Sequence, residues 1–81
     1  MALGARHMDA DRPARAAEAY RRVLARDDLH EDATRALMLA HARLGEPAAA
    51  VRLYRRFADR LREELDAEPG RETVELYERL K

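Results

Sequence analysis

Apolar residues recur at helical spacing along most of this chain. From residue 28 onward Ala33, Leu37, Ala40 and Leu44 form one stripe, and from residue 47 Val51, Tyr54, Ala58, Leu61 and Leu65 form a second. Val74, Tyr77 and Leu80 are spaced to face inward on a third. Punctuation marks divide these stripes. Asp11-Arg12-Pro13 and Gly45-Glu46-Pro47 read as turns, each with a proline at the start of the next helix. Gly45 suits a left-handed helix end, and Pro69 disfavours helix at Glu68. The pattern predicts helices over about 2–9, 13–26, 28–43, 47–66 and 71–80, with Asp27 as the N-cap of the third.

The chain also matches itself. A shift of 34 residues aligns Leu3 with Leu37, His7 with His41, Pro13-Ala14 with Pro47-Ala48, Ala16 with Ala50, Tyr20-Arg21-Arg22 with Tyr54-Arg55-Arg56, and Arg26 with Arg60. That is nine identities across the 24 positions from Leu3 to Arg26. A period of 34 belongs to tetratricopeptide repeats, each a pair of antiparallel helices. Small residues at Ala16 and Ala50 let two helices approach, and the ring four residues later fills the space beyond. The expected fold class is therefore all-α: a right-handed, tetratricopeptide-like array of antiparallel helix pairs. One domain spans 1–81, with a first repeat over about 1–27, a second over about 28–66 and a capping helix over about 71–80. A full first repeat would need about four more residues before Met1, so the chain reads as part of a longer protein.

Composition agrees with helix and narrows the chemistry. Charged residues make up 40% of the 81 and hydrophobic residues 47%, while β-branched residues are nearly absent. Sixteen basic residues balance sixteen acidic ones. A nucleic-acid grip usually carries a basic excess, so direct contact with DNA or RNA is not expected. There is no cysteine and no serine, which removes thiolate chemistry, disulfides and the serine nucleophile. No apolar run is long enough to span a membrane and no signal peptide opens the chain, so the expected compartment is the cytoplasm.

Two stretches resemble a narrower family. Leu29-His30-Glu31-Asp32-Ala33-Thr34-Arg35-Ala36-Leu37-Met38 resembles the D-P-L-R-E-D-A-H-R-A-L-M signature of bacterial transcriptional activator domains. The tail from Leu61 to Tyr77 is similar to that family's L-x-E-E-L-G-V-E-P-S-P-E-T-x-x-L-Y. These domains follow the DNA-binding domain in antibiotic-pathway regulators of the Streptomyces type. The resemblance implies a non-catalytic regulatory domain that dimerises a transcriptional activator or contacts the transcription machinery. A homodimer is thus one expectation, and a tetratricopeptide adaptor unrelated to transcription is the alternative. Asp28 and His30 depart from the family's Pro and Arg, Asp66 from its Gly, and Gly70-Arg71 from its Ser-Pro. The last change predicts a fraying final helix.

Candidate sites are few. His7 and His41 share a repeat position and read as packing residues, while His30 is expected to face solvent. No spacing supports a metal, and no cofactor is expected. Glu63, Glu64, Asp66 and Glu68 read as solvated helix surface. Arg52, Arg55, Arg56, Arg60 and Arg62 read first as a face salt-bridged to Asp59, Glu63 and Glu64, with a contact patch for an acidic partner or phosphate as the other reading. By analogy with tetratricopeptide grooves, Ala5, Met8, Asp9, Asp32, Arg35, Leu39, Ala42 and Arg43 line a partner-binding face. Ala5 and Leu39 stand where peptide-carboxylate clamps carry Asn, so no such clamp is expected.

Overall fold

Helix starts and stops follow from local hydrogen bonding in the computed structural model, which describes residues 12–81. Four α-helices succeed one another: α1 (Pro13–Arg26), α2 (Glu31–Arg43), α3 (Pro47–Leu65) and α4 (Arg71–Leu80). Among the described residues there is no strand. The helix expected over 2–9 lies outside them. Pro13 and Pro47 open α1 and α3, where the missing N–H leaves no bond unmade.

The second helix starts three residues later than the stripe suggested. Asp27 does not cap it. Its Oδ1 accepts from Leu29 N–H at 3.1 Å and so holds a turn. His30 is the N-cap instead: its Nδ1 accepts from Ala33 N–H at 3.1 Å, and its carbonyl accepts from Thr34 Oγ1 at 3.1 Å. His30 is therefore half-buried and engaged, not solvent-facing.

Both left-handed helix ends are used. Gly45 has φ +76°, and Glu46 N–H returns to His41 O at 2.8 Å. Asp66, with φ 51°, ends α3 in the same region, while its N–H reaches Arg62 O at 3.0 Å. Aspartate tolerates this conformation less well than the glycine that the family signature carries there.

Alanine sets the packing distance. Ala16 and Ala17 of α1, Ala33 and Ala40 of α2 and Ala50 of α3 are each at most 1% exposed. The repeat-related pair Ala16 and Ala50 is thus buried in both copies. Around them Tyr20 and Leu37 join one cluster between α1 and α2. Met38, Ala50 and Leu76 join a second between α2, α3 and α4. Leu53 touches both clusters. α2 lies at the centre, packed against α1, α3 and α4.

Several stripe residues lie elsewhere. Leu44 and Leu65, expected inward, are 38% and 61% exposed. In α3 the fully buried positions are Ala50, Phe57 and Leu61, with Val51, Tyr54 and Ala58 at the margin. In α4 they are Thr73 and Leu76, while Val74, Tyr77 and Leu80 are only half-buried. Tyr77 stacks on Tyr54 with ring centroids 4.1 Å apart and planes 10° from parallel, and Lys81 Nζ stands 5.4 Å from the Tyr77 ring.

Two measurements test these ends and rings. Gly45→Ala has open space around a new Cβ, so its cost is backbone strain alone, about 1 kcal/mol in urea unfolding. Asp66→Gly relieves the same strain and should raise stability by up to about 1 kcal/mol. The Tyr54 phenol is raised above its ordinary value, first by burial and then by Tyr77. Its stabilising contribution is complete below the unfolded tyrosine value of about 10 and is lost as pH rises through the folded value. The urea midpoint should fall above that pH, and fall less in Tyr54→Phe.

Candidate interaction surface

The first turn of α2 and the start of α4 meet at one carboxylate. Glu31 is the first residue of α2. Its Oε2 accepts from Gly70 N–H at 2.6 Å and from Thr73 Oγ1 at 2.6 Å. Gly70 is the N-cap residue of α4 and offers no side chain of its own. Glu31 therefore caps a helix that begins about forty residues later, and its charge sits favourably against that helix's N-terminal dipole. A Cβ at position 70 would stand 2.9 Å from this oxygen, so glycine permits the close approach.

The network continues through α2. Thr73 Oγ1 accepts from Arg35 Nη1 at 3.1 Å, and Arg35 Nη2 donates to Asp32 Oδ1 at 2.9 Å. Thr73 is 0% exposed, with its hydroxyl fully engaged. No buried side-chain polar atom among the described residues lacks a partner. The expected fraying of the last helix has a counterweight that its own sequence does not contain.

The residues expected on the partner-binding face fall into three groups. Asp32, exposed, and Arg35, half-buried, belong to the network just described. Leu39, 37% exposed, shares with Arg35 a shallow hollow of about 260 Å³, whose far wall is Glu72, Glu75, Leu76 and Arg79 of α4. Ala42, half-buried, and Arg43, exposed, lie outside that hollow toward the end of α2. Met8, with Ala5 and Asp9, lies outside the described residues. The structure thus joins Arg35 and Leu39 to α4, a wall that the sequence reading did not include. No periodic signal marked Thr73 as an inward residue, because a threonine counts as polar until its buried partners are known.

Elsewhere the polar groups have structural roles. His41 Nδ1 meets Glu46 Oε1 at 2.8 Å across the turn between α2 and α3. No group of three or more metal-ligating side chains comes together among the described residues. None of their helices is long and apolar enough to cross a membrane.

What these features define is an all-helical domain whose polar network ties helices to one another. The family model for the bacterial transcriptional activator domain matches residues 1–81, the whole chain, and the chain belongs to that family. It is a regulatory family, not known as catalytic. Searches of curated proteins and of solved structures gave no match.

Glu31→Ala leaves the buried Thr73 Oγ1 without its acceptor, while the exposed Gly70 N–H turns to water. The expected loss is about 1–3 kcal/mol. Hydrogen exchange should locate it: amides of α4 should lose protection while those of α1 keep theirs. Uniform loss across all helices would contradict the assignment of this carboxylate as a remote cap.

Proposed function

We propose that this chain is a non-catalytic interaction domain of a bacterial transcriptional activator, acting in the cytoplasm, where it dimerises the regulator or holds contact with the transcription machinery. The observation that carries this reading is the family match across residues 1–81. The helical succession supports a finer architecture, a tetratricopeptide-like right-handed array with repeats over about 1–27 and 28–66 and a cap over 71–80. Buried alanines at the equivalent positions 16 and 50 fit that register, as does α4 packing on both α2 and α3. The partner is protein, with no direct nucleic-acid contact from this domain.

The face offered to that partner is the exposed strip of α2. Leu39, Ala42 and Arg43 supply its contact residues, and Asp32 and Arg35 fix its edge. Exposed leucine beside a charged rim is the composition of an interface centre.

A bacterial two-hybrid assay pairs the chain with itself and with each RNA polymerase subunit, and sedimentation reports its oligomeric state. At least one pairing should signal. Leu39→Asp should weaken that pairing about tenfold, corresponding to loss of one well-packed anchor. A chain that stays monomeric at high concentration and is silent in every pairing would remove this reading.

A further inference from the structure

α1 and α3 stand on either side of α2, and a groove runs between them on a face separate from Leu39. Two adjoining hollows of about 420 Å³ and 500 Å³ make it up, sharing Arg21, Leu37, Leu53 and Arg56. Its floor is apolar: Leu24, Leu37, Leu53 and Phe57. Its rim is cationic: Arg21, Arg52, Arg55 and Arg56. Along α3 the lining runs from Ala49 to Arg60, roughly 16 Å of helix axis or three turns.

The rim arginines are not neutralised from within. The expected pairing of the α3 arginines with Asp59, Glu63 and Glu64 holds only for Arg60, which bonds Asp28 at 2.9 Å, Glu64 at 3.2 Å and Glu63 at 3.6 Å. Among the described residues, the guanidinium groups of Arg21, Arg52, Arg55 and Arg56 make no ion pair or hydrogen bond. Of the two carboxylates that line the groove, Asp28 is already held by Arg60, which leaves Asp59.

We propose that this groove binds an acidic amphipathic helix of a protein partner. The partner's apolar side chains enter the floor formed by Leu24, Leu37, Leu53 and Phe57. Its Asp and Glu residues pair with Arg21, Arg52, Arg55 and Arg56. Guanidinium matches carboxylate geometry in two-pronged contacts, and an apolar groove of three turns matches one face of a helix. Nucleic acid fits less well. Phosphates have no use for a leucine and phenylalanine floor, and the chain's net charge is zero. The inference rests on the reading of this chain as a protein-binding domain but uses a different face.

Fluorescence anisotropy on the 81-residue chain tests it. The probe is a labelled helical peptide with Leu or Phe at i, i+3, i+4 and i+7 and Glu elsewhere. It should bind more tightly than the same composition scrambled, and than the same peptide with Lys for Glu. Arg52→Glu with Arg56→Glu should weaken binding by more than about tenfold, the effect of losing two charge pairs. Arg62→Glu, on α3 but outside the groove, should change it by less than about twofold, as for a peripheral charge. Ala25→Glu places a carboxylate in the groove without replacing an arginine and should also weaken it, so the outcome stands even if the double variant loses its helical circular dichroism. Equal binding of the scrambled peptide, displacement by duplex DNA at similar concentration, or indifference to both groove variants would overturn the proposal. So would binding that appears only after residues 1–11 are removed, since the chain's own start would then be the occupant. A silent two-hybrid assay with intact peptide binding removes the regulator reading alone, and the converse removes the groove alone.

Discussion

The Glu31 carboxylate couples two helix starts that are far apart in sequence. It belongs to the first turn of α2 and accepts from the start of α4, with both contacts at 2.6 Å. A helix of ten residues is marginal on its own in water. α4 has no side-chain cap of its own, so its order comes from contacts outside itself: buried Thr73 and Leu76, the Tyr54–Tyr77 stack, and this carboxylate. Apolar contacts tolerate sliding, whereas a charged oxygen shared between a backbone N–H and a hydroxyl does not. Glu31 therefore fixes where along α2 the last helix begins. That in turn sets which α4 residues face Leu39.

The rest of the core makes such a polar anchor more consequential. Five of its buried hydrophobic residues are alanines at 16, 17, 33, 40 and 50. Alanine brings helix backbones close but buries little apolar area per residue, and a chain of this size has little area to bury. Shape complementarity then matters more than apolar mass. The larger side chains, Tyr20, Leu37, Met38, Phe57 and Leu76, fill the spaces that the alanine contacts leave.

The four helices of the described residues were legible because proline, glycine and periodic apolar residues mark them locally. Two kinds of feature were not. The first is the phase of short stripes. Thr73 counts as polar in any periodic reading, yet its hydroxyl is satisfied by Glu31 and Arg35 and it is wholly buried, which turns α4 by one position relative to the Val74–Tyr77–Leu80 stripe. In α3 the 34-residue register pointed to Ala50, which is buried and which the periodic stripe left out, because repeated packing constrains position more tightly than hydrophobicity alone. The second is partnership over distance. Nothing near Gly70 reveals that its cap comes from α2. Nothing near Asp28 reveals that it draws Arg60 away from the other arginines of its helix. Of the surface expected to bind a partner, Arg35 proved to be partly a structural residue for the same reason.

Overall neutrality conceals a local separation of charge, and ion pairing produces it. Acidic residues on the α2 and α4 side are tied into the fold: Glu31 to Gly70 and Thr73, Asp32 to Arg35, and Glu75 to Arg71. Asp28, Glu63 and Glu64 all converge on Arg60. Three carboxylates on one guanidinium leave fewer for its neighbours, so cationic charge accumulates along the groove between α1 and α3. A sum over the sequence weighs every charge equally and excludes a strongly basic domain. It does not describe a surface on which one arginine gathers three acids and four others gather none. Recognition responds to the local field, which falls off over roughly 8–10 Å at physiological salt. On that scale the groove and the Leu39 strip are electrostatically distinct faces of one small domain.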